Sequence, residues 1–430
     1  MQSRDAQALI RFGLGGRLDP VAADPRGWLA GQLEGAAPRA GGAGLADLAE
    51  GLQAMRAQQR NNADEAAQAR IRAIFRAGNL AVVDGLITTA QPFRERLVWF
   101  WANHFTVSIR RFAVTPVAHA YLREAIRPHV TGRFGDMLRA VMRHPAMLMY
   151  LDNQQSFGPN STLGLRQKRG LNENLARECL ELHTVTPAAG YTQADVTEFA
   201  RVLTGWSVAA EQAPFGFIFR PGAHEPGGKT VMGREIAPGE SGGLALLDWL
   251  AGHPATHRSL ATKLVRHFVA DEPPPAAVAR IEAVLRDTGG DLKAASLALL
   301  DLPEAWTPLA KLRTPFEFVT AALRALDLPV ARRPDVPGVL SGLGQGLFNA
   351  PLPNGWADTA ADWAGPEGML RRVDWAYAVA GRAAGMNPAE VAETTLGPLL
   401  PAETLMQIAR AGSRREGMTL LFAAPEFQRR

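Results

Sequence analysis

The chain has 430 residues, of which 47% are hydrophobic and 20% are charged, and it carries a formal net charge of +4. This length and apolar content are enough for a large buried core in one or two domains. The mean hydropathy is −0.07 and no apolar run reaches about 18 residues, so we expect no transmembrane helix. The N-terminal sequence lacks the apolar stretch and cleavage site of a signal peptide. We therefore expect a cytoplasmic protein, or one that crosses a membrane folded with a signal-bearing partner.

The number of cysteines and the distribution of charge exclude further classes of protein and of site. Cys179 is the only cysteine, which excludes an internal disulfide and a multi-cysteine metal site. Its position on an apolar helix stripe indicates a buried structural thiol. Acidic residues are interleaved with the basic ones, and the one compact basic run, residues 166–169, is too short to indicate nucleic-acid binding. We expect no nucleic-acid partner.

Helical periodicity dominates the first 150 residues. Residues 63–111 are strongly helical and end in the run WFWANHF, which is apolar on more than one side and should be central. Asn103 and His104 are the polar residues of that run, and His104 is interpreted either as a satisfied core histidine or as a site residue. Within residues 115–150, one clean amphipathic helix places five apolar residues on one face: Phe134, Met137, Leu138, Val141 and Met142.

The densest group of polar and ionisable residues lies in a predicted helical hairpin, residues 172–206. Glu173, Arg177 and Glu181 recur at every fourth position, so they share one face of the first helix. Thr192, followed three residues later by an aspartate, predicts a capping box at the start of the second helix. The first helix also carries several further polar candidates: Asn172, Asn174, Glu178 and His183. The hairpin is the predicted centre of a functional site.

The only β signal predicts one small hairpin near residues 213–235. Phe215, Phe217 and Phe219 alternate with other residues, and residues 230–232 offer a return strand. The connecting loop would present three polar residues at an exposed tip that glycines and prolines hold open: His224, Glu225 and Lys229.

The rest of the chain returns to helices around a segment rich in proline and glycine, residues 327–365. We interpret this segment as an ordered loop, because its large aromatic residues are costly to leave in water: Phe348, Trp356 and Trp363. In the helix that begins at Pro254, three polar residues are expected at the surface or half-buried rather than as ligands: His257, Arg266 and His267. The predicted fold is a single, mainly α, multi-helix domain over residues 1–430.

Taken together, the motifs resemble the bacterial family known as domain of unknown function 1800. The resemblance covers nearly the whole chain and includes RFGLGG, WFWANHF, NENLARECLELHTVTPAAGYTQADVTEFARVLTGW, HEPGGKTVMG, RTPFEFV, GQGLFNAPLPNGW and the terminal PEFQ. It implies a largely helical fold and no established activity. Members often look exported and are frequently encoded beside a second exported protein, which implies a protein partner. Glu225 stands where the family usually has aspartate, which moves that carboxylate by one methylene.

Three functions are compatible with these residues. The favoured interpretation is a binding or scaffold partner of a second protein. In this interpretation Glu173, Arg177 and Glu181 form an ion-pair ladder along one helix face. An alternative is an enzyme that uses a divalent metal between helix 172–184 and loop 220–230, with oxygen and imidazole ligands from Glu178, Glu181, His183, His224 and His104. The spacing argues against that ligand set, because no His-Glu-x-x-His or Glu-x-x-His motif is present.

The third function is a metal-free acid/base hydrolase at the same place. The predicted catalytic residues are Glu178, Glu181 and Arg177, since paired carboxylates beside an arginine can acquire different pKa values. Residues expected to surround the site are Asn103, Asn172, Asn174, Glu225 and Lys229. Enzyme and non-enzyme both remain open at this stage.

Overall fold

Apolar residues at helical spacing determine most of the architecture. The structure, a computed structural model, describes residues 3–17, 24–35, 44–61 and 64–430. The helices of the N-terminal part are α1 Ser3–Gln7, α2 Pro25–Gly31, α3 Leu48–Arg60, α4 Glu65–Thr88, α5 Pro92–His104, α6 Ala118–Tyr121, α7 Phe134–Arg143, α8 Pro145–Tyr150 and α9 Thr162–Gln167.

The central and C-terminal parts continue in the same way. Their helices are α10 Asn174–Glu178, α11 Gln193–Leu203, α12 Glu240–Ala251, α13 Pro254–Phe268, α14 Pro275–Asp287, α15 Leu292–Leu300, α16 Pro315–Leu326, α17 Val336–Gly342, α18 Ala360–Trp363, α19 Pro366–Ala380, α20 Pro388–Leu396, α21 Ala402–Ala409, α22 Arg414–Ala423 and α23 Pro425–Gln428. Single π-helical turns add Ala8–Phe12, Leu122–Ile126 and Cys179–His183. The mainly α prediction is confirmed.

Two antiparallel hairpins replace the single hairpin predicted from the sequence. Strand β1, Trp206–Ala209, pairs with β2, Gly216–Phe219, and β3, Lys229–Val231, pairs with β4, Arg234–Ile236. The predicted pairing of β2 with residues 230–232 is therefore wrong. The physical reason is local: Met232 and Gly233 both have positive φ angles, 50° and 75°, as a two-residue type I′ turn requires, so β3 returns at once into β4.

The helical predictions are more accurate than the strand pairing. Helix α7 buries all five residues of its predicted apolar face. Thr192 and Asp195 form the predicted capping box at the start of α11. The predicted first helix of the central hairpin is less regular, because α10 gives way after Glu178 to the π-helical turn.

One cluster of buried apolar side chains runs from Ala6 to Phe427. Helix α5 lies deep within it, as predicted, and Phe93, Leu97 and Trp101 are at most 1% exposed. In the part of the chain that the structure describes, none of the helices has both the length and the apolar character needed to cross a bilayer.

Candidate functional site

A cavity of about 480 Å³ lies beside α5 and α13, and we call it the central cavity. Its third side is the segment of residues 345–362, which we call the covering segment. The volume is in the range of small-molecule sites. Much of the wall is aromatic, from Trp99, Phe100, Phe316, Phe348 and Trp356.

Helix α5 contributes one complete face to the cavity. Its lining residues follow the i, i+3, i+4, i+7, i+8 pattern that places side chains on one side of a helix: Arg96, Trp99, Phe100, Asn103 and His104. Two residues predicted as site candidates, Asn103 and His104, therefore lie in the wall of the same cavity. The three residues predicted as catalytic lie outside the cavity lining, on α10 and the π-helical turn after it: Arg177, Glu178 and Glu181.

Helix α13 contributes the facing side through Lys263, Arg266 and His267. The Nζ atom of Lys263 donates to the carbonyl oxygen of Leu182 at 2.6 Å and lies 3.2 Å from Nδ1 of His104. Among the described residues, no carboxylate forms an ion pair with this amine. Burial, reinforced by the charge of Arg266, lowers the pKa of Lys263 to about 8.

Two histidines, His104 and His183, lie near Lys263, and burial keeps both of them neutral. The rings of His104 and His183 are 5.7 Å apart, centroid to centroid. Burial lowers the pKa of His104 far below its usual value, and Lys263 and His183 lower it further. Burial and the charge of Lys263 lower the pKa of His183 to about 3. An imidazole that accepts at Nδ1 from Lys263 carries its proton on Nε2, which lies 3.3 Å from the carbonyl oxygen of His183.

The backbone that supplies these carbonyl oxygens has unusual geometry. Leu182 and His183 belong to the π-helical turn, a feature that is frequent at functional sites. Thr186, three residues beyond the turn, has φ 62° and ψ 164°, a region that side chains other than glycine rarely adopt. Such a conformation costs on the order of 1–3 kcal/mol and persists only where the surrounding structure enforces it.

A histidine–aspartate pair lies one helical turn from Lys263. Nδ1 of His267 is 2.6 Å from Oδ2 of Asp358, which belongs to the covering segment. Burial opposes ionisation of Asp358, but His267, Lys311 and Arg430 outweigh it and hold the pKa of this carboxyl below its usual value. Burial lowers the pKa of His267, so the neutral ring donates from Nδ1 to the carboxylate. Its Nε2 is the unprotonated nitrogen of that tautomer; it is buried and forms no hydrogen bond to the described residues.

Buried polar contacts fix the covering segment over the cavity. The Asn103 side chain donates to the carbonyl oxygen of Trp356 at 2.9 Å and accepts from the Trp356 amide at 2.7 Å. Asp271 accepts from the amide of Ala360 at 2.7 Å, and Lys311 donates to the carbonyl oxygen of Asp358 at 2.7 Å. Asn103 thus acts as a positioning residue for the cavity wall.

The loop of His224, Glu225 and Lys229 is not the exposed tip that the sequence indicated, and that prediction is wrong. All three residues are buried, at 9%, 6% and 4% exposure. His224 donates from Nδ1 to the carbonyl oxygen of Thr204 and accepts at Nε2 from the amide of Gly239, each at 2.9 Å. Both ring nitrogens are therefore occupied by backbone groups that fix the two hairpins.

The other two members of this loop are also engaged in structural contacts. Lys229 donates to the carbonyl oxygens of Glu225 and Gly227. The Glu225 carboxylate accepts from the backbone and side-chain nitrogens of Asn160, at 3.0 and 2.6 Å. The loop is thus a satisfied polar network, which a buried segment without regular secondary structure requires.

The remaining candidates occupy the start of the central hairpin. Arg177 pairs with Glu173 at 2.9 Å, whereas Glu181 is exposed and forms no ion pair with Arg177. Asn172 accepts from the amide of Asn174, the first residue of α10, at 3.0 Å. Burial, then the charge of Glu181, raises the pKa of Glu178.

The structure does not assemble the predicted metal ligands. Among the described residues, no three His, Cys, Asp or Glu side chains lie close enough together to hold a metal ion. The rings of His104 and His183 lie near each other beside Lys263. Glu178 and Glu181 lie on the central hairpin. His224 is enclosed by backbone groups. The structure therefore gives the metal-dependent alternative no support.

Sequence reasoning missed Lys263, His267 and Asp358 as members of a common site. His267 is half-buried, as the sequence predicts, and it lines the cavity. A usable signal was present: Lys263, Arg266 and His267 follow the i, i+3, i+4 spacing of one helix face, and Arg96, Asn103 and His104 follow the i, i+7, i+8 spacing on α5. Asp358 had no local signal, because its partner lies 91 residues away.

The described residues form a helical fold with an aromatic-walled cavity that is lined by a lysine and a histidine–aspartate pair. The chain belongs to the family described as Protein of unknown function (DUF1800), whose sequence model matches residues 7–429. No curated protein and no solved structure matches the chain.

The role of Asn103 can be tested by Asn103→Ala. Loss of its two hydrogen bonds to Trp356 should lower the free energy of unfolding by about 1–3 kcal/mol. Hydrogen exchange at the Trp356 amide should accelerate. Asn354→Ala, at an exposed position of the same covering segment, is the matched control and should change stability by less than about 0.5 kcal/mol. Equal effects of the two substitutions would contradict the assigned role.

Proposed function

We propose that this protein is an enzyme that performs metal-free acid–base chemistry on a small molecule bound in the central cavity. The observation that carries the proposal is the arrangement on α13. Lys263 and His267 line one cavity and lie a single helical turn apart. The Lys263 amine has no carboxylate partner among the described residues, and His267 is paired with Asp358. Titratable groups whose environments shift their pKa values are typical of acid–base sites.

The histidine–aspartate pair supports the role of general base. Asp358 holds the His267 ring in the tautomer that leaves Nε2 unprotonated, and it stabilises the imidazolium that forms when Nε2 takes a proton. Lys311 and Arg430 lie near the aspartate and keep it ionised. The pair is thus arranged to accept a proton and return it.

The cavity wall supports a ligand with a small apolar body. Trp99, Phe316 and Phe348 offer aromatic surface, and Trp99 packs against both phenylalanines with centroid distances of 5.0 and 6.0 Å. Lys263 and His267 supply the convergent polar groups that would orient a reactive centre. The sequence-based site of Arg177, Glu178 and Glu181 remains a prediction of the same reaction class at a different place.

His267→Gln tests this function directly in a turnover screen of small esters, amides and carbonyl compounds. The amide side chain is not a base at neutral pH, so turnover should fall by about 100-fold or more. Ligand-observed NMR should show that binding persists. His129→Gln, which replaces a half-buried histidine outside the cavity, is the control and should retain activity. Unchanged turnover in His267→Gln would exclude the pair as the base.

A second function, binding of a protein partner, is favoured by an exposed apolar stripe on α19. Leu370, Val373 and Tyr377 follow i, i+3, i+7 spacing and are 65%, 39% and 47% exposed. This surface is suited to the protein encoded nearby that the family resemblance implies. Such a scaffold role is compatible with an active cavity, because the stripe is separate from the cavity lining.

The partner function can be tested by co-expression with that neighbouring protein. The double substitution Leu370→Ser and Tyr377→Ser should reduce co-purification at least about tenfold, because it removes two apolar anchors from the interface. Leu165→Ser, at a site that is 66% exposed on α9, should leave it unchanged. Equal co-purification of the partner with wild type, with the double variant and with Leu165→Ser would argue against this surface as the interface.

A further inference from the structure

We propose that Lys263 forms a covalent imine with an aldehyde or ketone, and that the ligand of the central cavity is therefore a carbonyl compound with a flat apolar body. This inference rests on the proposed function in one respect, namely that the ligand occupies the central cavity. It adds the chemical class of the substrate and gives Lys263 the role of nucleophile.

The position of Lys263 distinguishes it from the other four lysines. It is the only lysine in the cavity lining, and its amine is held by one carbonyl oxygen and one imidazole nitrogen. Lys293 and Lys311 form ion pairs with carboxylates. Lys229 is enclosed by carbonyl oxygens in the loop of the two hairpins, and Lys168 is exposed to solvent.

The surroundings of Lys263 favour the neutral amine, which is the nucleophilic form. With a pKa of about 8, about a tenth of the Lys263 side chains are neutral at pH 7, against about four in ten thousand for an ordinary lysine. The pKa of Lys263 is lowered by burial and by the charge of Arg266, and no paired carboxylate among the described residues raises it again. His104 fixes the amine without adding a negative charge.

The reaction is balanced without an oxidant or a reductant. The nitrogen lone pair of Lys263 attacks the carbonyl carbon, a C–N bond forms, and the C=O π electrons move to the oxygen. One amine proton passes to that oxygen to give a carbinolamine. The second nitrogen proton passes to the departing hydroxyl group, while His104, whose Nδ1 accepts from the amine, holds the nitrogen in place. Water leaves and the C=N bond forms.

The cavity wall favours the product. Trp99, Phe100 and Phe348 provide apolar surface beside the two polar helix faces. An apolar wall limits the access of water, which would otherwise hydrolyse the imine. His267 lies one turn along α13 from Lys263 and also lines the cavity.

The test uses benzaldehyde as the probe. The full chain is incubated with benzaldehyde and sodium cyanoborohydride near pH 7, digested, and mapped by mass spectrometry. We expect the benzylamine adduct on Lys263 at least tenfold above that on Lys168 of the same molecules. His104→Gln should slow the labelling of Lys263 and leave that of Lys168 unchanged, whereas a structural role for His104 would predict no such difference.

Binding is measured separately, by ligand-observed NMR without reductant. Ala102→Trp fills the cavity wall and should abolish both binding and the adduct, whereas Ala77→Trp, at an exposed position on α4, should affect neither. Binding in wild type without selective labelling of Lys263 would overturn the imine and leave the cavity function standing. Even labelling of all lysines, together with either no binding in wild type or binding that Ala102→Trp leaves unchanged, would overturn both the imine and the cavity function.

Discussion

A buried carboxylate shared by two arginines connects the parts of the structure on which the cavity depends. Glu317, at the start of α16, pairs with Arg96 of α5 and with Arg430, whose Nε lies 2.9 Å away. Burial opposes ionisation of Glu317, but Arg430 and Arg96 outweigh it and hold its pKa far below the usual range. Removal of Glu317 would leave the buried charge of Arg96 without its carboxylate, which costs about 3–5 kcal/mol in comparable cases.

The same network extends to the covering segment and sets the electrostatics of the site. Lys311 contacts both Asp271 and Asp358, so these two aspartates are already paired with a cation. Lys263 lies outside these pairs, and its amine contacts only uncharged acceptors. The proposed acid–base chemistry rests on this division of the cavity into a neutralised network and a separate amine.

Sequence reasoning was most reliable where the cause is local. The apolar face of α7 and the Thr192 cap follow from spacing along one helix, and both are present. The strand pairing failed because the Met232–Gly233 turn carries little signal in the sequence. The site was found only in part: Asn103 and His104 stood out as polar residues in an apolar run, whereas the contact of His267 with Asp358 joins positions that only the tertiary fold brings together.

The central claim is that the cavity holds a lysine amine whose pKa is well below that of an ordinary lysine. It is tested most directly by a pH titration of the Lys263 side chain by NMR on lysine-labelled protein, with Lys263→Arg used to assign the signal. The account predicts a midpoint near 8, with the amine protonated below it and neutral above it. A midpoint near the ordinary lysine value of about 10.4 would contradict it.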